Sequence, residues 1–135
     1  MTDADNGPLR IDRAVINRRI ERLDVSADVK AVLASLIDTS VQVGGKLIDL
    51  GARVVAFVFD LAKAYPGVAF GTLVALVLSY LISSIPGVGP VLSPFLTPLL
   101  LIIGISLGAL DDFMNGAMRA RLANLETHVR AAGVV

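Results

Sequence analysis

Between Lys63 and Asp111 the chain carries no charged residue, and the only titratable side chains in that stretch are Tyr65 and Tyr80. These 47 consecutive residues, Ala64–Leu110, make up more than a third of the 135-residue sequence. The remaining chain is short for covering so long an apolar segment in water, whereas a bilayer covers one without help. Overall charge content is 18%, against about 25% for ordinary soluble domains. The pattern predicts an all-α integral membrane protein of one domain, anchored through residues 64–110.

Prolines and glycines divide the segment into a two-span helical hairpin. Gly67–Ile85 is 19 residues long, about 28 Å of helix and enough for a hydrocarbon core. The run Pro86-Gly87-Val88-Gly89-Pro90 reads as the turn at 86–90, because no helix continues comfortably through it. Val91–Leu110 supplies the second span. Pro94 and Pro98 weaken its first turns, and Pro98 inside a helix leaves the Pro94 carbonyl unpaired and kinks the axis.

Three amphipathic regions flank the hairpin. Residues 1–40 read as a cytosolic helical segment: Pro8 suits a first turn, Ile16, Ile20 and Leu23 recur at helical spacing, and Ser26 is an N-cap candidate. From that cap, Val29, Val32, Leu33, Leu36 and Ile37 share one face of a second helix. Residues 41–63 read as a third amphipathic helix. Its polar residues Gln42, Lys46, Asp49, Arg53, Asp60 and Lys63 fall on one narrow stripe, with Gly44 and Gly45 allowing a bend near its start. Residues 111–135 return to a polar helix with Met114, Met118, Leu122 and Leu125 on its apolar side, placed against the membrane or against the first segment.

Charge sets the expected orientation. Nine Lys and Arg precede Ala64, three follow Leu110 and none lies in the turn, so both termini are expected in the cytoplasm of a multi-pass inner (plasma) membrane protein. Met1–Gly7 is acidic and polar, unlike a signal peptide. A net charge of zero gives no reason to expect nucleic acid as a partner. The absence of cysteine excludes thiolate chemistry, a single histidine (His128) offers no clustered metal site, and Gly87-Val88-Gly89 lacks the third glycine of a dinucleotide loop. Neither catalysis, a metal nor a cofactor is expected.

Several residue groups are candidates for function. Thr72, Ser79 and Ser83 fall on one face of the first span, to line a pore or to make interhelical hydrogen bonds. Lys46, Asp49, Arg53 and Asp60 form either a charged vestibule, the headgroup side of an interfacial helix, or a contact within a cytosolic bundle. Gly67-x-x-x-Gly71 and Gly104-x-x-x-Gly108 are small-residue patterns suited to tight packing, within the hairpin or in a homo-oligomer. Arg18, Arg19 and Arg22, with Arg10 and Arg13, make a basic cluster for anionic lipid or a phosphate-bearing nucleotide.

Ser93-Pro94-Phe95-Leu96-Thr97-Pro98 resembles half of the oleosin proline knot, although Pro86 lies one residue too far from Ser93 and the arms are shorter. The overall layout, cytosolic helices followed by a membrane hairpin, resembles small pore-forming membrane effectors of bacterial anti-phage systems. That resemblance implies a pore opened by a nucleotide signal. The expected function is a homo-oligomeric membrane pore or ion channel; the alternative is a structural membrane anchor or scaffold. Single cysteines test the topology, since the chain has none. An impermeant thiol reagent in intact cells should label Gly89→Cys and leave Asp3→Cys and Ala132→Cys untouched.

Overall fold

The structure, a computed structural model, describes residues 13–43, 45–85, 87–114 and 116–134. In chain order they form α1 (Arg13–Glu21), α2 (Ala27–Leu36), β1 (Val41–Val43), β2 (Lys46–Ile48), α3 (Leu50–Ala64), α4 (Phe70–Ser84), α5 (Gly89–Ile103), α6 (Leu107–Phe113) and α7 (Gly116–Val134). The protein is predominantly α-helical, as the sequence predicts. Pro8 and Arg10 lie outside the described residues.

Helix α2 starts where its cap is: the Ser26 hydroxyl accepts from the Val29 amide at 3.2 Å. Val29, Leu33, Leu36 and Ile37 are buried and Val32 half-buried, the predicted apolar face. Ile16 and Ile20 of α1 pack into the same core, against α2 and α3. Arg19 lies over the Phe59 ring, its guanidinium carbon 4.0 Å from the centroid, and Phe59 stacks on Phe70 with centroids 4.8 Å apart. This run of contacts fastens α1 to α3 and α3 to the start of α4.

Residues 41–63 correct the expectation of one amphipathic helix. Val41–Val43 pairs antiparallel with Lys46–Ile48, Gln42 opposite Leu47, and the helix begins only at Leu50. The physical reasons are local. Val41, Val43 and Ile48 are β-branched, and Gly45 takes φ +82°, a left-handed turn conformation that a glycine adopts freely. The single polar stripe is therefore broken: Gln42 and Lys46 lie in strands, Asp49 is the N-cap residue of α3, and only Arg53, Asp60 and Lys63 lie on the helix.

Where α3 crosses the end of α2, Gly51 is the close point. Its amide donates to the Thr39 carbonyl at 3.0 Å, and a Cβ there would overlap the Leu36 carbonyl oxygen. From that crossing, Leu50, Val54, Val55, Val58 and Leu61 run into the core.

Helix α4 is buried without a break from Phe70 to Leu78, and again at Leu81. A helix apolar on every side must be enclosed on every side. It is packed by α3, α5, α6 and α7. The accessible surface of the chain, 6978 Å², is close to the roughly 6,800 Å² expected of a folded monomer of 14.2 kDa. The fold thus covers much of the uncharged segment with its own helices.

Both predicted spans are shorter than expected. Helices α4 and α5 have 15 residues each, about 22 Å, and no helix among the described residues is long and apolar enough to cross a membrane. Gly67 falls in the turn before α4. The second run is not one helix to Leu110: α5 ends at Gly104, which caps it at φ +72°, and a short α6 follows. Its start also differs, since Gly89 and Pro90 belong to the first turn of α5, where a proline needs no N–H partner. The helix continues through Pro94 and Pro98. Pro90, Pro94 and Pro98 recur every four residues, the first two exposed and the third half-buried, so the carbonyls that lose an intrahelical partner, those of Pro90 and Pro94, belong to exposed residues.

Helix α7 carries Met118, Leu122, Leu125 and Val129 as a buried stripe, with Arg119, Arg121 and Arg130 exposed. It packs on the β-hairpin and on α4.

Gly51→Ala should destabilise the fold by about 3 kcal/mol or more, because a backbone oxygen cannot yield as a side chain would. Gly67→Ala meets nothing within 4 Å and should change stability by less than about 0.5 kcal/mol. Urea unfolding followed by circular dichroism measures both.

Candidate functional site

The uncharged hairpin α4–α5 is the feature the rest of the chain is arranged around, and its contacts define the candidate site. The two helices pack tightly at Gly71, where a Cβ would stand 3.2 Å from Cγ2 of Ile103 and 3.9 Å from Cδ1 of Leu99. Val29 of α2 closes the same point from outside. Gly71 therefore packs helix on helix within the chain. Its predicted partners behave otherwise: Gly67, Gly104 and Gly108 meet nothing within 4 Å, and Gly67 and Gly104 lie outside the helices that the patterns presume. Gly104 is set by conformation, not by packing, because its φ of +72° disfavours any residue with a Cβ.

The three hydroxyl residues of α4 are separated by depth. Thr72 is in the core at 4% exposure, Ser79 is half-buried, and Ser83 is exposed with its hydroxyl donating to the Ser79 carbonyl at 3.1 Å. In this arrangement Thr72 faces protein. The residues expected at a vestibule come from three places: Lys46 from β2, Asp49 from the start of α3, and Arg53 and Asp60 from α3 itself. Asp60 and Lys63 form an exposed ion pair at 3.8 Å, a contact worth little in water. Arg53 is half-buried and its Nε is enclosed with no hydrogen-bond partner.

Of the basic cluster, Arg18, Arg19 and Arg22 are all exposed, and Arg19 also lies over the Phe59 ring. Arg19 therefore contributes to holding α1 on α3. The outer face of α5 is uncharged: Ser93, Pro94, Thr97 and Leu101 are exposed, Leu101 at 79%, and Ile102 beside them at 37%.

A polar contact that sequence reasoning did not anticipate joins α4 to α7. The Tyr80 hydroxyl donates to Glu126 Oε1 at 3.2 Å. Arg130 Nε donates to Glu126 Oε2 at 2.7 Å, and Arg130 Nη2 donates to the Ser84 carbonyl. The last carbonyls of a helix lack intrahelical partners and attract positive charge, so Arg130 caps the C-terminal end of α4. Glu126 and Arg130, four apart with the acid first, are legible as a helical pair. Their reach to Tyr80 and Ser84, 46 residues away, has no sequence signal.

Comparison with protein-family models, with curated proteins and with solved structures finds no match to this chain.

Two glycines in the hairpin should respond differently. Gly71→Leu should cost about 2–3 kcal/mol by forcing α4 off α5. Gly104→Leu should cost about 1–2 kcal/mol through backbone strain, and Gly104→Asn should recover most of that loss, since asparagine tolerates the left-handed region. Denaturation midpoints of the three variants separate packing from strain.

Proposed function

We propose that this chain is a membrane-active protein that carries its spanning hairpin folded among its own helices and inserts it into a bilayer, where several copies assemble into an ion-conducting pore. The observation that carries the reading is the 47-residue uncharged segment, whose first helix is buried on all sides from Phe70 to Leu78. Little but lipid or a custom-built protein sheath can surround such a helix. Length is available for the change. The stretch from Ala64 to Ile85 holds about 22 uncharged residues, and Val88 to Leu110 about 23, each about 33 Å as continuous helix.

The flanks suit the same reading. After insertion the charged segments on both sides stay in the cytoplasm, and exposed Arg18 and Arg22 provide a positive surface for anionic headgroups or a phosphate-bearing ligand. Thr72, Ser79 and Ser83 line the pore once α4 has left the core. Lys46, Asp49, Arg53 and Asp60 stand at its cytoplasmic entrance. A hairpin alone encloses no channel, so the pore is a homo-oligomer.

The second reading is a membrane anchor or scaffold. It is favoured by the uncharged outer face of α5, which offers Leu101 and Ile102 to lipid without rearrangement of α4.

Vesicles of phosphatidylcholine and phosphatidylglycerol loaded with a small fluorescent dye distinguish these readings. The pore predicts co-sedimentation with vesicles and dye release, reduced by Ser79→Leu because an apolar ring narrows and dewets a pore. Co-sedimentation without release selects the anchor. A protein that neither binds the vesicles nor releases dye is not membrane-active.

A further inference from the structure

We infer that α7 is a releasable clasp on the hairpin, and that the Tyr80–Glu126–Arg130–Ser84 contact is what biases α4 toward the folded bundle. The inference deepens the membrane reading and rests on it for its purpose, though the clasp itself is a property of the chain without lipid.

In the bundle α4 has some contacts that a bilayer replaces and others that it does not. Leu73, Val74, Leu76, Val77 and Leu78 are surrounded by apolar side chains. Lipid tails are as apolar as leucine, so those contacts exchange for others of similar worth. The polar contacts at the end of α4 have no such counterpart. The Tyr80 hydroxyl and the Ser84 carbonyl are held by a carboxylate and a guanidinium of α7, and leaving the bundle breaks both. An equilibrium between two states is shifted only by interactions that differ between them. By that measure the clasp counts for more than the larger apolar interface.

Helix α7 is also suited to let go. Its apolar hold on the β-hairpin and α4 is one stripe, Met118, Leu122, Leu125 and Val129, on a helix whose opposite side is charged and exposed. Elements with few buried apolar side chains open at the low end of the stability range. A detached α7 keeps its arginines in water, so its release uncovers α4 without itself requiring burial. Glu126 and Arg130 act together. Arg130 is positioned by Glu126 at 2.7 Å, so loss of either removes the cap on Ser84.

Hydrogen exchange by mass spectrometry on the purified full chain, without lipid, tests the clasp directly. The Arg130 contacts are exposed and the Tyr80 contact is half-buried, so together they are worth about three- to tenfold in an opening equilibrium. Arg130→Met and Glu126→Ala should therefore speed exchange over residues 70–84 by about threefold or more and leave α1 and α2 unchanged. Tyr80→Phe, the mildest change, should give a smaller effect in the same place and covers the case in which the others fail to fold. Ile16→Ala, which loosens α1, is the stability-matched control.

Exchange over 70–84 that is unchanged in the clasp variants, or no faster than in Ile16→Ala, overturns the clasp. Dye release from phosphatidylglycerol-containing vesicles that accelerates by the same factor as exchange supports both clasp and insertion. Faster exchange in protein that never binds vesicles keeps the clasp and removes the membrane reading.

Discussion

The structure depends on enclosing α4. An apolar stripe can be hidden by turning it inward, but α4 carries no charged side chain to leave outside, and ten of its residues, from Phe70 to Leu78 and Leu81, are buried. Every neighbouring element answers that demand. Helices α3 and α5 flank it, α6 and α7 complete the cover, and α2 packs against α5 behind them. The charged residues are consequently displaced to the elements on either side of α4 and α5, and α1, α2, α3 and α7 each turn buried apolar side chains to the core and keep exposed charged ones outside.

Close enclosure puts demands on the backbone. At Gly71 the bare backbone of α4 receives the side chains of Ile103 and Leu99 from α5, and α3 clears the end of α2 only because Gly51 has no side chain. Gly104 ends α5 in a left-handed conformation, which shortens the second apolar run to a helix of about 22 Å and turns the chain into α6. The prolines of α5 are accommodated by position. Their missing hydrogen bonds fall on the carbonyls of Pro90 and Pro94, both exposed residues. The same residues that look like defects of a membrane span are the joints of a compact bundle.

Much of the periphery was legible from residue types. Ser26 caps α2 and the spacing of Val29, Leu33, Leu36 and Ile37 marks its buried face, because a cap and a 3.6-residue period are local properties. Met118, Leu122 and Leu125 mark the buried side of α7 in the same way. The β-hairpin was not legible: Val41–Ile48 supports a helical stripe when counted by period, and what decided against it was Gly45 at φ +82° and the seat that α7 offers to both strands. Arg19 reads as part of a basic cluster, yet Phe59, forty residues on, claims its guanidinium. The clasp was equally hidden, since hydrogen bonds between α4 and α7 depend on how two distant helices lie together.

The sequence by itself determined that one long segment must be kept from water and that it is broken into two helical arms near residues 86–90. Hydrophobic burial depends on how much apolar surface leaves water and hardly at all on what covers it, so a bilayer and a sheath of helices satisfy the same composition. Which helices pack around α4, where each arm stops, and which polar groups hold α7 against it were decided by tertiary structure. Those outcomes rest on directional contacts: a left-handed turn at Gly104, a backbone crossing at Gly51, and hydrogen bonds from Tyr80 and Arg130 that exist only when both helices are in place.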